Sequence, residues 1–69
     1  MNIEEFKQQW TKAVEQNHGD RRGIVLNNHD VIYATNYTVR SESRGLITLF
    51  WSYNSIIAEI YVDTVIGIE

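Results

Sequence analysis

Residues 56–69 carry a period-two pattern of apolar side chains, and that pattern constrains the fold more than any other stretch. Ile56, Ala58, Ile60, Val62, Ile66 and Ile68 fall on one face, interrupted by Thr64 alone. The other face mixes Ile57, Tyr61 and Val65 with Glu59, Asp63 and Glu69. A strand apolar on one side and half apolar on the other is expected at the centre of a sheet or in a closed barrel. Asp63-Thr64 marks a corner, which divides the segment into strands over 56–62 and 65–68.

The other elements are read in chain order. Ile3, Phe6, Trp10, Ala13, Val14 and Asn17 are spaced by threes and fours, which predicts a helix over 3–17 with one apolar stripe. Asn2 and Glu5 match a capping box, and Gly19 is placed to close the C-terminal end. Asp20-Arg21-Arg22-Gly23 reads as a linker. Strands follow over 24–26 and 31–35, joined by the turn Asn27-Asn28-His29-Asp30, since Asn and Asp tolerate positive φ. Asn36 marks a bend before a strand over 37–41, and Ser41-Glu42-Ser43-Arg44-Gly45 is a polar loop tip. A strong strand over 46–53 sets Ile47, Leu49, Trp51 and Tyr53 on one face, and Asn54-Ser55 turns into the final segment.

The fold class is therefore α+β, a single domain over 1–69. It consists of an N-terminal helix and a strongly bent antiparallel meander of four to five strands, with 65–68 as a short strand after the corner. Phe6, Trp10 and Val14 are expected to pack on the 46–53 and 56–62 strands. One short helix covers one side of a sheet, so the surplus apolar side chains call for closure or for a second copy. The closed arrangement resembles the small SH3-like and Sm-like barrels, the latter with an N-terminal helix as well. That resemblance is architectural and implies a bent, barrel-like meander. The Asp, Asn and Arg-Gly pattern by which Sm-like proteins bind RNA finds no match here, so no function is implied.

Composition removes several function classes. The 69 residues include no cysteine, so neither a disulfide nor a thiolate metal site is available. A net charge of −3 opposes non-specific binding to a phosphate backbone. The N-terminus lacks a basic, apolar leader pattern and no apolar run reaches membrane-span length, so a cytoplasmic protein without a membrane segment is expected. The serines lack a G-x-S-x-G setting, and the glycines are too dispersed for a phosphate loop. His18, Asp20, His29 and Asp30 lack metal-ligand spacing. No enzyme, cofactor or metal is expected.

Two candidate surfaces remain. Arg21, Arg22, Arg40 and Arg44 all lie between residues 21 and 44, and are expected on loops at one end of the molecule. Guanidinium groups grip phosphates or carboxylates in bidentate fashion, and Tyr33, Tyr37 and Tyr53 add stacking surface. Ile57, Glu59, Tyr61 and Asp63 on the last long strand are the expected contact of a symmetric homodimer, with the acids facing Arg40 or Arg44 of the other copy. The leading expectation is a small non-enzymatic protein that binds another protein. An inhibitor or adaptor is meant, such as a phage- or mobile-element-encoded inhibitor of host defence. The alternative is a nucleotide- or nucleic-acid-binding small barrel that uses the arginine and tyrosine surface.

Overall fold

A computed structural model describes all 69 residues as one helix, six strands and a short 3-10 turn. The helix, α1, runs Ile3–Gln16. Its capping box is complete: the Glu5 N–H donates to Asn2 Oδ1 at 2.8 Å, and the Asn2 N–H donates to Glu5 Oε1 at 3.3 Å. Gly19 does not close the other end, because the chain leaves the helix already extended at Asn17 (φ −133°, ψ 108°). The Asn17 N–H donates to the Ala13 carbonyl, and its side chain accepts from the Gly19 N–H, so no left-handed residue is required.

The strands are β1 Arg22–Leu26, β2 Val31–Ala34, β3 Asn36–Ser41, β4 Leu46–Trp51, β5 Ser55–Tyr61 and β6 Val65–Ile68. They form two three-stranded antiparallel sheets, ordered β2-β1-β6 and β3-β4-β5, and not one closed barrel. This corrects the reading of residues 56–69 as central strands. β4 and β1 hold the centres, while β5 and β6 are both edges. The cause is a 3-10 turn at Val62–Thr64, which carries the chain from one sheet to the other. Val62 and Val65, one such turn apart, are both buried, so the alternation slips a step and Ile66 stands 56% exposed.

Other strand boundaries shift by one residue, and two move by two. β1 starts at Arg22 instead of 24, because Gly23 pairs with Tyr33 and exchanges backbone hydrogen bonds with Glu69. β4 stops at Trp51 instead of 53, because Ser52 turns into left-handed backbone at φ 61°. The turn between β1 and β2 is as expected, with Asn28 Oδ1 accepting from the Asp30 N–H at 3.0 Å. Its positive φ falls on His29 and not on an Asn or Asp.

Ile3, Phe6, Ile24, Ala34, Ile47, Leu49, Val62 and Val65 form the core between the helix and the two sheets. The helix lies chiefly on β6 and β1, not on β4 and β5. Phe6 is fully buried and Trp10 half-buried, but Val14 is 43% exposed. At 3.6 residues per turn Val14 sits about 80° round the helix from Phe6, at the margin of the stripe. No helix is long and apolar enough to cross a membrane.

Tyr37, partly buried, packs against this core. Its ring meets Phe6 edge-on at 5.0 Å and Trp10 at 4.8 Å. Burial, and then the charge of Glu4, push its hydroxyl above the ordinary tyrosine value of 10.0. A raised folded-state value means that the unfolded chain loses this proton first. The Tyr37 contribution is therefore intact below about pH 10 and falls as pH rises toward the folded value. Urea unfolding at pH 9 and at successive steps above 10 is expected to show a decline in stability that Tyr37→Phe reduces. An equal decline in both proteins would contradict it.

Candidate functional site

β4 rises about 17 Å over its six residues, and the four arginines divide between its two ends. Arg21 and Arg22 stand at the end marked by Trp51, while Arg40 and Arg44 stand by the β3–β4 turn at the other. Gathering at one end, as expected from sequence, does not occur: β3 runs from the bend at Thr35 along the length of β4 and carries the second pair away.

Arg22 is buried, and its guanidinium is taken up locally. Nη1 donates to the Arg21 carbonyl at 2.6 Å and Nη2 to the Gly19 carbonyl at 3.0 Å. Nε is enclosed without a partner. This side chain clips the 19–21 segment to the start of β1 and presents nothing to a ligand. Arg21 is exposed. Its guanidinium lies 5.2 Å from the centroid of the Trp51 ring, and its Nε is 3.3 Å from Asp20 Oδ1. An exposed pair of this kind stabilises by no more than about 1 kcal/mol, so Arg21 is readily released.

The β4–β5 tip beside Arg21 is anchored. The Ser52 N–H donates to Thr35 Oγ1 at 2.7 Å, and the Thr35 N–H donates to the Phe50 carbonyl at 2.8 Å. A left-handed serine is disfavoured, and these bonds from the neighbouring strand bend hold it in place. Beyond the tip Tyr53 is 95% exposed and Ile56 is 66% exposed. Between tip and bend lies a cleft of about 520 Å³ lined by Asp20, Thr35, Asn36, Trp51, Ser52 and Tyr53.

A second surface is the outer face of the β3–β4–β5 sheet. Arg40 spans β4 to reach Glu59, Nε to Oε1 at 2.9 Å, and Arg44 donates to the Tyr61 hydroxyl at 3.3 Å. Ile57 and Tyr61 are exposed here. The acid expected to seek an arginine on another copy has one in its own chain. Asp63 does not share this face, since the chain leaves β5 at Tyr61 and Asp63 belongs to the 3-10 turn.

Tyr33 lies on the outer face of the other sheet, half exposed beside Gly23. No three His, Cys, Asp or Glu side chains come together in a way that holds a metal ion. Of the tyrosines named from sequence, Tyr53 alone lines the cleft with Trp51, while Tyr61 is the one that accepts a hydrogen bond from an exposed arginine, Arg44. Trp51 and Ile56 escaped notice because their parity assigned them to the inner rows. The signal that could have found them is their position next to the Asn54-Ser55 turn, beyond the reach of the helix. Comparison with protein-family models, curated proteins and solved structures gave no match, so no relative carries a function over to this chain.

Proposed function

We propose that this chain is a small non-enzymatic binding protein, an inhibitor or adaptor, that docks on another protein through its β4–β5 tip. The observation that carries this reading is the grouping of Arg21, Trp51 and Tyr53 with Ile56 at one exposed end. Tryptophan, tyrosine and arginine dominate the energetics of protein interfaces because they offer large, rigid contact area with a polar handle. The tip is tied to Thr35 before any partner arrives, so little ordering opposes binding. In this reading the two sheets are a small SH3-like or Sm-like barrel left open along β5 and β6. A cytoplasmic inhibitor of host defence carried by a phage or mobile element suits so small a chain.

The test uses Tyr53→Ala, since a side chain 95% exposed contributes little to the fold. The variant is expected to melt within about one degree of the parent while losing capture of the partner from host lysate by at least tenfold, with nuclease present throughout. Capture that is unchanged in Tyr53→Ala and in Trp51→Ala would refute docking at the tip. A second reading draws on the same cleft: Arg21 stacked on Trp51 suits a planar anion such as a nucleotide. Calorimetry against mono-, di- and cyclic nucleotides and short RNA and DNA separates the two, because only the second expects salt-sensitive heat.

A further inference from the structure

The outer face of the β3–β4–β5 sheet is close to its own complement. Register places Thr38 of β3, Thr48 of β4 and Glu59 of β5 side by side in its middle row. Arg40 reaches over β4 to Glu59, and Thr48 beneath the pair is only 5% exposed. Apolar residues flank the pair along the strands, with Leu46 paired to Tyr61 toward one end and Phe50, paired to Ile56 across a bulge beside Ile57, toward the other. The positive partner rises from the β3 side of the face and the negative partner from the β5 side.

We infer that a second copy of this chain docks on that face, turned over about an axis parallel to β4 that passes Thr48. This rotation lays the β5 of each copy above the β3 of the other. Each Glu59 then meets the other copy's Arg40, so four charges alternate in a ring, while Leu46 and Phe50 meet their own counterparts. The other two-fold that stacks the face on itself, with its axis across the strands, sets Glu59 over Glu59 and is opposed by like charge. The accessible surface is 4549 Å² for 8.1 kDa, close to the roughly 4,500 Å² typical of a self-sufficient monomer of this mass. A surface of this ordinary size fits a weak, concentration-dependent pair of already folded copies better than an obligate dimer.

The axis has a consequence for function that rests on the docking reading above. A rotation about β4 keeps both β4–β5 tips at the same end, with the stacked sheets about 10 Å apart. The dimer thus offers two Trp51/Tyr53 tips side by side and binds bivalently to a partner that repeats its epitope.

Sedimentation of the full chain, from roughly 10 µM to 1 mM to span the range of weak pairs, tests the interface with a charge exchange. The wild type is expected to shift to a dimer with rising concentration. Arg40→Glu and Glu59→Arg alone are expected to remain monomeric, and an equimolar mixture of the two to recover a dimer with one of each. A charge pair that acts only within one chain cannot be rescued by mixing, so a monomeric mixture beside a dimeric wild type overturns the inference. A wild type that stays monomeric throughout overturns it too. Spin labels on Tyr53→Cys are expected to lie within about 25 Å of each other, given the sheet spacing, and a distance above about 30 Å would overturn the axis. These measurements need no partner, so a failure of the dimer is separate from a failure of docking at Tyr53.

Discussion

Phe6→Ala is expected to lower stability by about 3–5 kcal/mol, the range for truncating a buried aromatic ring. A domain of this size holds roughly 3–10 kcal/mol in all, so the variant stands at the edge of unfolding. Phe6 is fully buried, and its ring bridges layers: it stacks along the helix with Trp10 at 6.2 Å and meets Tyr37 of β3 edge-on. The strand ladders fix the positions of the surrounding walls, which limits collapse into the space left behind. Trp10→Ala is expected to have a smaller effect, because Trp10 keeps part of its ring in water. Val14→Ala, at the exposed margin of the stripe, is expected to cost less than about 1 kcal/mol. Urea unfolding followed by circular dichroism gives all three values. A midpoint for Phe6→Ala equal to that of Val14→Ala would show that the helix does not sit where it is described.

The difference between Phe6 and Val14 also marks what the sequence can express. Helix, capping box and turns are local, and each was legible because the deciding atoms lie within four residues of one another: Asn2 with Glu5, Asn28 with Asp30. Which strand is central depends on neighbours far along the chain. β5 reads as a core strand by its isoleucines, yet it is an edge, because the 3-10 turn at Val62–Thr64 diverts the chain to the other sheet. The candidate surfaces divide in the same way. Arg21 was legible as exposed from its linker, whereas Tyr53 was named for its ring and shared the parity of Trp51. Arg22 and Tyr37 were not distinguishable from them, because charge and aromaticity do not reveal whether a side chain faces a carbonyl, a core or water. Trp51 was hidden by parity, and its exposure follows from where β4 ends. Glu59 was legible as a charge beside apolar residues on β5, but its partner was not: only the β3–β4–β5 register sets Arg40 within reach.

Gly45→Val is expected to be the second most damaging substitution, by about 2–4 kcal/mol. Gly45 holds φ +64° in the β3–β4 turn, a conformation that a β-branched residue hardly adopts. A Cβ there would also stand 3.1 Å from Val62 Cγ1, a side chain buried in the core. The backbone cannot easily move to relieve either strain, because its N–H donates to the Glu42 carbonyl at 3.2 Å and its carbonyl accepts from the Val62 N–H at 2.7 Å. That last bond joins the β3–β4 turn to the 3-10 turn, so the substitution disturbs the point where the chain crosses between sheets. Gly67→Val is the matched control. Gly67 lies in β6 with ordinary negative φ and no atom within 4 Å of a new Cβ. There the added side chain restricts the unfolded chain and favours a strand, so stability is expected to hold or to rise by up to about 1 kcal/mol. Thermal melts of the two variants should therefore move apart, Gly45→Val downward and Gly67→Val level or upward. Equal melting temperatures would mean that the left-handed turn at Gly45 and its contact with Val62 do not support the fold.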